Sequence, residues 1–274
     1  MLPTDNHVHT RWSWDTAASS SMEAACARAV ELGLPGVAFT EHLDFTQWGD
    51  GDEGGTGLQV GHRPHVQPLD VAGYSADVAR CRESFPELRI LSGVEAGEPH
   101  RFAAGVAATL AAGTFDRVLG SLHAIECNGA LEFVDRSLFD RLDPHDLVRR
   151  YFAEMLELVR NSEKFGVLAH CDYPRRYWPT RRAGQYHETD FEEEYRAVFA
   201  ALASSGRALE INTRSPLAST ELVRWWRQQG GDAVSFGSDA HDPYSVGHKF
   251  ALAVDIVEAA GFTPGRDRHD FWRR

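Results

Sequence analysis

The chain has 274 residues, with 28 Lys+Arg against 40 Asp+Glu for a formal charge of −12, and is 43% hydrophobic and 25% charged. This is a globular composition, which excludes disordered and fibrous classes, and the acidic balance argues against holding nucleic acid or anionic membrane by charge alone. Thirteen histidines stand beside four cysteines, and Lys164 and Lys249 are the two lysines among the basic residues.

In chain order, residues 1–6 lack the basic start and apolar core of a signal peptide. No stretch approaches about 18 uninterrupted apolar residues, so a cytoplasmic protein without a membrane span is expected. A first strand is predicted over 5–10. Ser20-x-x-Glu23 reads as a capping box opening a helix that stops at Gly33, before Pro35. A second strand follows at 36–42. Residues 44–68, rich in Gly and acidic side chains, read as a long irregular loop. Further strands are predicted at 89–97, 116–125 and 166–172. Between the last two, Asp143-Pro144 is an N-cap with a first-turn proline, leading into Leu147, Val148, Tyr151, Phe152, Met155 and Val159 at three-to-four spacing. Thr189-x-x-Glu192 repeats the capping box before a helix ending near Gly206. Strands at 208–213 and 233–241 complete the series, and Asp242-Pro243 restarts helix-end chemistry.

Seven β/α alternations predict one parallel α/β barrel over 1–274 rather than a doubly wound sheet. No G-x-G-x-x-G or G-x-x-x-x-G-K-[ST] follows a strand. Cys26, Cys81, Cys127 and Cys171 form no C-x-x-C pair, which argues against a thiolate zinc site. Cys26 and Cys81 read as small buried hydrophobes. Cys171 beside His170 makes no nucleophilic pair if the two point to opposite faces of a strand.

His7-Val8-His9 places two imidazoles on one face of the first strand by period-two alternation, and Asp239-Ala240-His241 repeats the device at the seventh. A lone H-x-H is weak evidence, because core and surface histidines are common. Asp15, His42, Glu95, His123 and His170 fall at or just beyond other strand ends. In a parallel barrel these ends converge on one rim. Packing or solvation explains any one of these residues, but poorly explains six histidines and three carboxylates on one rim. Metal binding is the expectation.

The segments Asp5-Asn6-His7-Val8-His9-Thr10, Phe39-Thr40-Glu41-His42, Gly93-Val94-Glu95, Gly120-Ser121-Leu122-His123, Ala169-His170-Cys171-Asp172 and Gly237-Ser238-Asp239-Ala240-His241 resemble the motifs of the PHP (polymerase and histidinol phosphatase) superfamily, over residues 5 to about 250. More narrowly, residues 170–177, Leu209-Glu210-Ile211-Asn212-Thr213 and 238–247 are similar to its monofunctional histidinol-phosphate phosphatase branch. The resemblance implies a distorted (β/α)7 TIM-like barrel with its site at the C-terminal strand ends and three divalent ions, Zn, Fe or Mn. Carried over by position, it implies His7, His9, Glu95 and Asp239 on the first ion. Glu95, His123 and His170 go to the second, with Glu95 bridging, and Asp15, His42 and His241 to the third. Glu95, Asp239 and His170 are then the expected catalytic residues. Mixed N/O ligands do not choose among these metals.

Three divalent ions against three ligand carboxylates leave the site near about +3 inside an acidic protein, which favours a small phosphate ester. The expected reaction is in-line attack on phosphorus by a metal-bridging hydroxide. Arg175, Arg176 and Arg214 are candidates to clamp the phosphate, because a guanidinium fork matches it bidentately. His248 and Asp172 are candidate general acids. L-histidinol phosphate is the expected substrate, with a nucleotide or sugar phosphate as the alternative. Trp12, Trp14, Trp48, Glu98, His100, His62, His65 and the 44–68 loop are candidates to receive its ammonium and imidazole. An amidohydrolase-type enzyme commonly bridges its metals with a strand-four lysine, and no lysine precedes Lys164. A non-catalytic module would show missing ligands, and none is missing. Long DNA is disfavoured for want of a basic track.

Overall fold

The computed structural model describes residues 1–48, 59–60, 66–214 and 216–274. His62 and His65, most of the expected 44–68 loop and the side chain of Trp48 lie outside the described residues.

The main sheet runs β1 (Asp5–Val8), β2 (Gly36–Leu43), β3 (Arg89–Gly97), β4 (Arg117–Ser121), β5 (Val167–Leu168), β6 (Ala208–Asn212), β7 (Ala233–Gly237) and β8 (Trp272–Arg273), neighbours in space in the order of the chain. The first seven pair parallel, and β8 closes on β7 antiparallel. The sheet curls until its ends meet, with a parallel bridge between Val8 and Ala240 and a His9 N–H donating to the Ala240 carbonyl at 2.8 Å. No helix among the described residues is long and apolar enough to cross a membrane.

Helices connect the strands. The N-cap of α1 (Met22–Glu31) is Ser21, whose hydroxyl accepts from Ala24, one residue past the expected Ser20. Gly33 ends it at φ 68°, a left-handed turn that needs no Cβ. The helices α2 (Phe45–Trp48), α3 (Val71–Ser84), α4 (Ala103–Ala112) and α5 (Arg136–Arg141) follow. The Asp143-Pro144 signal starts α6 (Pro144–Asn161) as expected, with the Asp143 carboxylate accepting from His145 and Asp146. Its apolar stripe buries Leu147, Tyr151, Phe152, Met155 and Val159, each contributing about 1.5–3 kcal/mol of transfer free energy for full burial. Phe152 meets Tyr195 of α8 (Glu192–Ser204) at 4.5 Å between ring centroids. Thr189 does not cap α8: a 3₁₀ turn over Glu188–Phe191 runs directly into it. The short α7 (Thr180–Ala183) precedes that turn. α9 (Thr220–Gln228) and α10 (Phe250–Ala259) complete the layer. Asp242 caps only a 3₁₀ turn over Pro243–Ser245, and α10 begins after Lys249.

Five strands are shorter than expected, β1 by two residues and β6 by one, and the shortenings of β4, β5 and β7 bear most on the site. β4 stops at Ser121, and the chain then forms a hairpin, Ala124–Cys127 against Ala130–Phe133, through Asn128-Gly129 at φ 54° and 82°. An Asn-Gly pair is a strong hairpin signal. β5 is only Val167–Leu168, so His170 and Cys171 sit in a turn rather than on a strand. β7 ends at Gly237, and Asp239 takes φ 53°. The pairing of Asp239 with His241 is therefore made by a turn and not by strand alternation.

Candidate metal centre

The sheet register sets the centre. In the β2–β3 ladder His42 lies directly opposite Glu95, so the two side chains enter the interior together. On β1 four residues, Asp5 to Val8, lie against three of β2, Val37 to Phe39, a bulge in the ladder. His7 and His9 nonetheless meet, Nε2 to Nε2 at 2.9 Å. Above them opens a cavity of about 410 Å³ lined by Asp15, His42, Glu95, His123, His170, Asp239 and His241. His7 and His9 do not line it but are buried against Glu95, which does. The nine expected side chains thus lie together.

Glu95 occupies the middle. Its Oε1 lies 2.6 Å from His170 Nε2 and 3.2 Å from His123 Nε2. Its Oε2 lies 3.3 Å from both His7 and His9 Nε2, and 3.1 Å from His42 Nδ1. Burial opposes ionisation of Glu95, but His7, His123, His170 and His42 hold its carboxyl well below the usual range. Asp15 joins His241 Nε2 at 2.9 Å and His42 Nε2 at 3.4 Å. Asp239 sits 3.6 Å from His9 and 3.5 Å from His241. Burial likewise opposes its charge, and Arg176, His7 and Arg214 hold its carboxyl far down.

Three further buried carboxylates orient the rings from behind. Glu210 on β6 accepts from His7 Nδ1 at 2.6 Å and, with its second oxygen, from the His170 backbone N–H at 2.7 Å. Asp44 meets His123 Nδ1 at 3.0 Å and accepts from Trp14 Nε1 at 2.9 Å. Glu41 accepts from the Ser13 hydroxyl at 2.6 Å, and Ser13 Oγ lies 3.0 Å from His9 Nδ1.

These contacts determine the tautomers, and the tautomers call for a cation. Ser13 gives its single proton to Glu41, so His9 Nδ1 is the donor to Ser13. His7 Nδ1 gives its proton to Glu210. With both rings neutral, the form in which they ligate a metal, two Nε2 lone pairs face one another 2.9 Å apart, with Glu95 Oε2 3.3 Å from each and without a hydrogen bond of its own. Three acceptors converging on one point repel unless positive charge lies between them, as a proton on His7, which Glu210, Glu95 and Asp239 favour, or as a metal ion that displaces it. Among the described residues five overlapping triads of metal-competent side chains occur, built from His7, His9, His42, Asp44, Glu95, His123, His170, Asp239 and His241, each with its ligand atoms within 4.8 Å. Four of them supply both N and O atoms, the His9–His42–His241 triad nitrogen alone, and none a thiolate. The residues present therefore fit metal ions.

The expected arginines separate. Arg176 lines the cavity, with its Nη2 2.5 Å from Asp239 Oδ2 and 3.1 Å from Asn212 Oδ1. Arg214 lines it too, donating to Asp239 Oδ1 at 3.0 Å. Arg175 turns away: its Nη1 donates to Glu188 at 2.7 Å and to the Leu217 carbonyl at 3.2 Å, outside the cavity lining. Of the aromatic and polar candidates for substrate, Trp14 lines the cavity, whereas Trp12 donates to Asp77 and His100 meets Glu154. Glu98, buried at φ 46°, accepts from the backbone N–H groups of His123 and Ala124 and shapes the chain there instead. His248 and Asp172 do not line the cavity.

Sequence reasoning did not single out Asp44, Glu41, Phe133, Asp135, Tyr173 or Tyr177. His42-Leu43-Asp44 repeats the period-two spacing of His7 and His9 at a strand end and could have signalled Asp44.

The PHP domain model matches residues 5–214. The chain belongs to the PHP domain family. Relatives of this PHP chain cover nearly all of its length. A histidinol-phosphatase from Lactococcus lactis is 27% identical over 272 residues, 96% of this chain and 93% of the relative. A probable histidinol-phosphatase from Deinococcus radiodurans is 29% identical over 278 residues, covering 97% and 96%. The fold matches a crystal structure of the Lactococcus lactis histidinol phosphate phosphatase complexed with zinc, L-histidinol and phosphate, at a TM-score of 0.80 and 24% identity over 96% of this chain and 95% of that one.

Proposed function

We propose that this PHP chain is a metal-dependent phosphomonoesterase that hydrolyses L-histidinol phosphate to L-histidinol and phosphate. The observation that carries the reading is the meeting of nine metal-competent side chains with two cavity-facing arginines. Full-length similarity to histidinol-phosphatases supports the substrate. We read the fold as a distorted (β/α)7 barrel forming one domain over 1–274, on the strength of seven parallel strands in sequence and the Val8–Ala240 bridge.

Three divalent ions are the reading for the centre. His7, His9, Glu95 and Asp239 would hold one, Glu95, His123 and His170 a second, and Asp15, His42 and His241 a third. Bound there, the ions would supply an activated water for in-line attack and neutralise the phosphoryl oxygens. The chain's own part is positioning. Glu95 reaches both the His7–His9 pair and the His123–His170 pair. Arg176 and Arg214, both held on Asp239, present guanidinium groups to the cavity from one side. A phosphate seated between them and the cavity-lining histidines would be fixed on two sides.

Steady-state kinetics on L-histidinol phosphate beside nucleoside monophosphates and sugar phosphates test this reading. The expected result is a kcat/KM for L-histidinol phosphate about 100-fold or more above the rest of the panel. A flat panel, or one led by a nucleotide, contradicts it.

A further inference from the structure

The cavity carries a carboxylate that serves none of the histidines. Asp135 follows the hairpin and lines the cavity beside Phe133. Among the described residues, Asp15, Asp44, Glu95 and Asp239 are each paired with an imidazole or guanidinium, and Asp135 pairs with neither. Its Oδ1 is committed as the N-cap of α5, accepting from Leu138 N–H at 3.1 Å and Ser137 Oγ at 2.7 Å. Among the described residues its Oδ2 has no such donor.

Its place is held by the centre. The hairpin is tied back through Val134 N–H, which donates to the His123 carbonyl at 2.8 Å. Phe133 and Asp135 flank that residue. Phe133 lies nearly parallel to the His123 ring at 6.2 Å and meets Trp14 edge-on at 6.5 Å. This wall rises after β4, whereas Arg176, which follows β5, and Arg214, which follows β6, both turn their guanidinium groups to Asp239, which follows β7. The cavity is therefore polarised, with two guanidinium groups on one wall and a carboxylate flanked by aromatic rings on another. An anion seated by the arginines leaves the rest of a small substrate to reach the second wall. A carboxylate there favours a cation, and the rings favour a flat or cationic group.

We propose that Asp135 is a specificity-determining residue that accepts the substrate's ammonium group through Oδ2, against the Phe133–Trp14 wall. This rests on the histidinol phosphate reading and names the part of the site that would distinguish that ester from an uncharged alcohol phosphate. The hairpin that leads to Asp135 begins at the residue after His123, so the same local chain sets the metal centre and the amine subsite.

Asp135→Asn removes the charge yet keeps an N-cap side chain of equal rank, so α5 stays capped. The test is calorimetric binding, to metal-loaded protein in the presence of inorganic phosphate, of L-histidinol and of its deaminated analogue 3-(imidazol-4-yl)propan-1-ol. The wild type is expected to prefer L-histidinol by about 10- to 100-fold, the range of a hydrogen bond to a charged group, and Asp135→Asn is expected to abolish that preference. A wild type that does not discriminate, a variant that keeps the preference, or an equal weakening of both compounds overturns the proposal. Turnover of L-histidinol phosphate is followed separately: its absence sinks the parent reading, while the two binding constants still decide the role of Asp135.

Discussion

His7 and Glu210 are joined at 2.6 Å, imidazole Nδ1 to carboxylate Oε1, across 203 residues of chain. The contact passes beside Gly237, where a Cβ would collide with Glu210 Oε1 and with the His7 side chain. Glu210 also holds the His170 backbone N–H through its other oxygen, so one carboxylate on β6 positions side chains from β1 and β5. Glu210→Gln keeps a single acceptor and must release one of the two. Metal affinity is expected to fall about 10- to 100-fold, as for other carboxylates that orient a ligating histidine. Metal content after dialysis against graded chelator, with circular dichroism to confirm folding, measures this. Gly237→Ala should reproduce the loss by pushing Glu210 away from His7.

Glu95 stands within 3.3 Å of nitrogen atoms from five histidines. Glu95→Gln conserves volume and removes the charge that balances them. The expected outcome is a kcat lowered by about 100-fold or more and a metal content below that of the wild type, with helix content unchanged. A variant retaining full kcat and full metal content would remove Glu95 from the centre.

Arg176 and Arg214 should differ from Arg175. The first two face the cavity, while Arg175 is bound to Glu188 and the Leu217 carbonyl. Arg214→Ala is expected to weaken competitive inhibition by inorganic phosphate by about 10-fold, the worth of one charge-assisted contact. Arg175→Ala should leave that inhibition constant within about twofold, with its cost confined to thermal stability. Inhibition constants for phosphate across both variants check the distinction.

Glu154 links stability to acid pH away from the centre. Burial favours its neutral form, yet hydrogen bonds from His100 and Arg101 bring its carboxyl down to about 2 from 4.5. A depressed carboxyl stabilises the fold fully above its unfolded value and loses that contribution as pH falls toward its folded value. The window is therefore from about pH 4.5 down to about 2, and the full contribution is on the order of 3 kcal/mol. Glu154→Gln should be less stable than wild type at pH 7, with the gap closing as pH falls from 5 toward 3. Urea unfolding of both proteins across that range measures it.

Strand ends were legible because period-two spacing and apolar runs announce them, and His7, His9, His42 and Glu95 all sit on or next to the expected strands. His170 and Asp239 reach the cavity too, but through turns: the left-handed Asp239 is held by Arg176, Arg214 and a backbone bond to the His7 carbonyl, contacts that no local pattern encodes. The α1 cap falls on Ser21 rather than Ser20, a one-residue choice between adjacent serines that the capping-box pattern does not resolve. The carboxylates behind the histidines were harder still. Glu210 resembles any acid on a strand until the fold places it against His7, and Arg175 and Arg176 are adjacent in sequence yet face different partners. Asn128-Gly129 was readable as a hairpin turn, and with it the wall that carries Asp135.

The central claim is that the histidine-lined cavity is a metal centre for hydrolysis of L-histidinol phosphate. The most direct measurement is phosphate release from that ester by the wild-type protein before chelation, after metal removal, and after re-addition of Zn, Mn or Fe. Loss of activity with the metal, and recovery with at least one of the three ions in proportion to the metal bound, is the predicted result. Undiminished turnover by protein shown to be metal-free would contradict it.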